Sequence, residues 1–160
     1  MPTTRSRPHL KTVSLTALAR ALALGWAARE RAHAAEKAAI LASQVVTLDQ
    51  VKMTDASDRG AVFGKLGIYL AGDTPGSTNF VTGRLVLAPG KTPHPPHTHA
   101  EEEVMVIEAG HGDIEVDGKT TQVGPGSVMY TAPNVSHGIV NSGETPIVFY
   151  FIKWAGKDAK

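Results

Sequence analysis

Gly90-Lys91-Thr92-Pro93-His94-Pro95-Pro96-His97-Thr98-His99-Ala100-Glu101-Glu102-Glu103-Val104, running on to Gly110, is the stretch that decides the fold. His97 and His99 stand two residues apart, and on an extended backbone such side chains point to the same face. Packing explains two imidazoles aimed into one space poorly. Each needs partners for two ring nitrogens, and two imidazolium ions would repel. A metal ion resolves both difficulties. Glu103, four residues after His99, opens an apolar strand in which it shares parity with Met105 and Ile107. A carboxylate at the head of an inward face needs a cation beside it, because an unpaired buried charge is costly. Its neighbours Glu101 and Glu102 are expected as solvated loop charges. His94 lies in a loop stiffened by proline. It is expected either as an acid–base group at a pocket mouth or as an ordinary surface histidine.

A second stretch, Gly126 to Asn141, carries Ala132-Pro133-Asn134 and then His137. His137 opens a strand on whose face Ile139 and Asn141 follow. If that strand pairs across a barrel, His137 completes a set of three histidines and one carboxylate.

Outward from these stretches the chain reads as short strands separated by Gly, Pro, Asn and Asp clusters. The expected strands are Val45–Leu48, Val51–Met53, Val62–Phe63, Leu66–Leu70, Asn79–Ala88, Glu103–Glu108, Gly112–Val116, Lys119–Val123, Ser127–Tyr130, His137–Asn141 and Ile147–Trp154. Asp117-Gly118 is the strongest hairpin signal, since a type I′ turn needs positive φ at both central residues. Gly124-Pro125-Gly126 marks another sharp turn. Many short strands at regular spacing mean an all-β sandwich or barrel.

Taken together, the two stretches resemble the cupin superfamily. Its first motif, His-x-His, three residues, Glu, six residues, Gly, is matched by His97, His99, Glu103 and Gly110. Its second is matched by Gly126, Pro133, His137 and Asn141. One extra residue separates Gly90 from His97, Ala132 stands where proline is usual, and Asn134 where glycine is usual. Asn tolerates the left-handed conformation better than other non-glycine residues. The resemblance covers about residues 80–154 and implies a jelly-roll barrel holding one divalent metal through His97, His99, Glu103 and His137. Three imidazoles and one carboxylate leave open positions on the ion, the mark of a working site. Such ligands suit Fe, Mn, Ni, Cu, Co or Zn. Met105, Ile107, Ile139, Phe149 and Phe151 are expected to line the pocket, which suits a small, largely apolar or aromatic ligand that coordinates through oxygen. Among cupins this is similar to the small quercetinase-like dioxygenases. The expected function is therefore a mononuclear oxygenase, an oxidoreductase in which Glu103 or His94 moves a proton. A metal-dependent isomerase or lyase, and a non-catalytic binding barrel, are the alternatives.

Composition bounds the rest. The 160 residues suit one domain, and 42% hydrophobic with 19% charged residues fit a globular one. With no cysteine, disulfides, thiolate ligands and a Cys nucleophile are excluded. The net charge of +1 hides an acid-free start, residues 1–29, carrying Arg5, Arg7, Lys11, Arg20 and Arg29. The globular part has no basic stripe, which argues against nucleic acid. Residues 1–34 run basic, apolar, then Ala32-His33-Ala34, the layout of a signal peptide, so export to the periplasm or medium is expected. A retained helix or a transit peptide is the alternative. Arg20 argues against a membrane span. Residues 35–160 are then a single cupin domain. Glu103–Glu108 and Ile147–Trp154 are apolar on both faces, so the outside of the barrel is expected to be covered, by the N-terminal arm or by a second copy in a homodimer.

Overall fold

The computed structural model describes residues 40–157. The expected export segment, 1–34, lies outside the described residues. Among the described residues no helix is long and apolar enough to cross a membrane. After a 3-10 turn at Leu48–Gln50, nine strands follow: β1 (Thr54–Asp58), β2 (Ala61–Gly72), β3 (Ser77–Leu87), β4 (Glu102–Ala109), β5 (Gly112–Val116), β6 (Lys119–Val123), β7 (Val128–Thr131), β8 (His137–Val140) and β9 (Ile147–Gly156). All named pairings are antiparallel. They form a six-stranded sheet, β1-β2-β3-β9-β4-β7, and a three-stranded sheet, β6-β5-β8. This is the all-β jelly-roll class expected from the sequence.

The sheets meet over one core. Leu85, Leu87, Met105, Ile107, Met129, Ile147 and Phe149 come from the larger sheet, Ile114 and Ile139 from the smaller. Along β4 burial alternates, with Glu103, Met105 and Ile107 inward and Val104 and Val106 less covered. That period of two is what aims Glu103 inside.

Three early expectations need correction. Val45–Leu48 is not a strand: Val45 is exposed, and the 3-10 turn begins at Leu48. Val51–Met53 is not one either. Both side chains occupy the space that a Cβ on Gly67 would need. Val62–Phe63 and Leu66–Leu70 join through Gly64 into the single strand β2.

Tight turns fix the register. Asp117 and Gly118 have φ of 50° and 74°, the double positive φ that a type I′ hairpin requires. They pin β5 to β6, and β8 lies on the other side of β5.

Candidate metal centre

Three segments bring the site together. The loop before β4 carries His97 and His99, β4 carries Glu103, and β8 opens on His137. The loop is stitched to β8 by backbone bonds. His97 and His137 exchange N–H···O=C bonds of 3.0 Å in both directions. In an antiparallel bridge the two opposite side chains emerge on one face, which is how residues forty positions apart in sequence become neighbours. Further on, the Asn134 N–H donates to the His99 carbonyl (2.8 Å), and Asn134 holds φ at 62°. Asn141 closes the far end. It is fully buried, its Nδ2 donates to the carbonyls of Leu87 and Thr145 (2.9 Å each), and its backbone bonds to Gly90 and Lys91. Asn141 is thus a brace for the loop.

His97, His99 and His137 each offer a nitrogen within 4.8 Å of the other two, and they could hold a metal ion. Each Nδ1 faces a backbone carbonyl: His137 O for His97 (3.2 Å), Glu101 O for His99 (3.0 Å) and Val135 O for His137 (2.9 Å). A carbonyl only accepts, so Nδ1 carries the proton and Nε2 is left with its lone pair. That tautomer is the one a metal needs, fixed in advance by the backbone.

Glu103 sharpens the point. Its Oε2 lies 2.9 Å from His99 Nε2 and 3.2 Å from His137 Nε2, and the residue is 7% exposed. Two imidazole nitrogens turned toward a buried carboxylate oxygen need a cation, metal or shared proton, between them and it. The donor set therefore fits a divalent ion. Burial first, then the charges of His94, His137 and His99, hold the His97 imidazole below the ordinary histidine value. Its neutral, ligand-competent form is favoured accordingly.

The group opens on a cavity of about 230 Å³, lined by His94, His97, His99, Glu103 and Lys153 and otherwise by mostly apolar side chains. Of the expected pocket residues, Met105, Ile139, Phe149 and Phe151 line it. Ile107 does not. It shares their parity but sits further along β4, 1% exposed within the core, its backbone bonded to Ser127 and Gly126. The exposed His94 stacks edge-on against His97 at 3.9 Å between ring centroids, at the cavity wall.

Glu101 and Glu102 are not the solvated loop charges expected. Glu101 is half-buried, with Oε2 3.4 Å from His99 Nδ1, and Oε1 accepts from Asn79 Nδ2 at 3.4 Å. The Asn79 N–H in turn donates to Asp73 Oδ1 (3.2 Å), and the Asp73 carbonyl accepts from the Leu41 N–H (2.7 Å). Glu102 begins β4 and accepts from the Tyr130 hydroxyl at 2.8 Å. The sequence reading also missed Lys153, Phe63, Leu66 and Leu85, which line the cavity. For Lys153 the signal was present, since it shares parity with Phe149 and Phe151.

The description of a cupin domain matches residues 83–153, a span that holds His97, His99, Glu103 and His137. Over that span the chain carries a cupin domain. Several solved cupins share its fold. An RmlC-like cupin from Shewanella frigidimarina is 17% identical, covers 73% of this chain and 95% of its own, and superposes with a TM-score of 0.57. A predicted oxalate decarboxylase from Thermotoga maritima is 24% identical over 70% of this cupin and 99% of its own length, TM-score 0.55. The polyketide cyclase RemF from Streptomyces resistomycificus is 23% identical over 71% and 80%, TM-score 0.57. At these identities the likeness concerns the fold alone. No curated protein matches this cupin in sequence.

Proposed function

We propose that this cupin is a mononuclear metal-dependent oxygenase acting on a small, oxygen-bearing, catechol-sized compound. Its metal ligands in this reading are His97, His99, Glu103 and His137. One observation carries it: three imidazoles with Nδ1 pinned to carbonyls, beside a buried carboxylate, with His97, His99 and Glu103 of this group lining a largely apolar cavity. Glu103 Oε2 and His99 Nε2 are 2.9 Å apart. Bound there, a redox-active ion would supply a Lewis acid and a meeting point for substrate and dioxygen. The chain's own residues do the rest. The apolar wall excludes water and orients a ring, and His94, beside His97, can take or return a proton at the mouth. The cavity of about 230 Å³ is smaller than sites for drug-sized ligands, roughly 300–1,000 Å³, and so favours one ring over a three-ring flavonol.

The test begins with elemental analysis of untagged protein purified without chelators, followed by oxygen uptake on catechol-type compounds. About one equivalent of Fe, Mn, Ni or Cu with substrate-dependent oxygen consumption supports the proposal. Turnover that persists without oxygen identifies a lyase or isomerase instead, a class kept in view by the predicted oxalate decarboxylase and the polyketide cyclase among the structural neighbours. Assembly as a homodimer through the outer face of the larger sheet belongs to the same proposal.

A further inference from the structure

Lys153 is the unexpected member of the cavity wall. It stands on the inward side of β9, two residues after Phe151, in register with Glu103 of β4 on one side and Val81 of β3 on the other. Lysines are rarely turned toward an apolar interior without a partner. Yet Lys153 is partly covered, lines the cavity and forms no ion pair among the described residues. The obvious partner is across the strand pair, but the Glu103 carboxylate is engaged with His99 and His137. Lys153 is therefore a cation whose counter-charge the described protein does not supply.

The surroundings say what would complete it. With Glu103 turned to the histidines, the Lys153 ammonium faces mostly apolar walls, which strengthen its attraction for an anion; a divalent ion at the histidines would add to it. The hydrophobic side chains that share the cavity wall with Lys153 and the histidines would cover a ring or a short carbon chain.

We propose that Lys153 is the anion subsite of this cavity, and that its ligand is a small monocarboxylate with a second oxygen function placed toward the histidines. The second contact rests on the metal reading above. The contact between Lys153 and the carboxylate does not.

Calorimetric titration of the full chain, with and without one equivalent of Mn(II), tests this. The probes are formate, pyruvate, benzoate and salicylate, each against its own amide. At least one acid should bind about tenfold or more tightly than its amide, a difference of roughly 1.4 kcal/mol. Lys153→Met should erase that preference while leaving metal content and amide affinity unchanged, and Lys153→Arg should keep it. Lys153→Gln serves as a second neutral variant should the methionine variant misfold. A preference that survives in the neutral variants, or no acid outbinding its amide in either form, overturns the subsite. Loss of Mn(II) uptake by the wild type sinks the metal reading alone, and the ion-free titrations then decide on Lys153.

Discussion

Glu103 differs from its two acidic neighbours in what its oxygens touch. Its Oε2 meets two imidazoles, Glu102 meets the Tyr130 hydroxyl on the opposite side of β4, and Glu101 meets Asn79 and the ring of His99. Three substitutions that each remove one charge should therefore have three outcomes. Glu103→Gln is expected to weaken metal binding by about 100-fold or more, beyond what loss of an outer-sphere partner costs. Glu101→Gln disturbs only the residue that orients His99, so about tenfold or less is expected. Glu102→Gln should bind as the wild type does. Competition against a chelating dye measures all three, and equal losses would refute the special place of Glu103. At this scale the direction of side chains was legible in the sequence: parity with Met105 and Ile107 put Glu103, and not Glu102, on the buried face beside His99 and His137. What it could not disclose is that Glu101 leans on His99, because a loop has no parity to read.

At the scale of elements, closeness of backbones matters more than side chains. Gly110, between β4 and β5, holds φ at 78°, and a Cβ built there would come within 2.4 Å of the Pro146 carbonyl oxygen. Neither the conformation nor the space admits another residue. Gly110→Ala should destabilise the protein by about 2–5 kcal/mol, strain and overpacking together. A urea midpoint that barely moves would show that the β4–β5 corner can shift without cost. The strands flanking such turns were the legible ones. Gly112–Val116 and Lys119–Val123 fall where the Asp117-Gly118 signal places them. By contrast β1, Thr-Asp-Ala-Ser-Asp, gave no strand signal. It is an edge strand with only Ala56 buried, so nothing in it had to be apolar. The converse error was Val45–Leu48, apolar in composition but largely exposed on the surface.

For the whole molecule, the informative region is the outer side of β9, β4 and β7. Val104, Val106, Ile152 and Trp154 are only partly covered there, and Val128 and Tyr130 of the edge strand β7 are 66% and 55% exposed. Toward β3 this face turns polar, where Arg84 Nε donates to Glu108 Oε2 at 2.8 Å beside Tyr150. An apolar patch with a charged margin has the anatomy of a protein interface. Light scattering on eluting protein should give twice the chain mass, and Val128→Glu should raise the dimer dissociation constant by about tenfold or more without changing metal content. A monomeric wild type would end the proposal. One thread through the molecule bears on maturation. Leu41 is bonded to Asp73, Asp73 to Asn79, Asn79 to Glu101, and Glu101 to the ring of His99. We propose that residues 1–34 are an export leader, and its removal near Ala35 leaves the Leu41 bond intact. Trimming by a protease past Leu41 would cut the thread at its far end, and the metal loop would be the place to look for the damage.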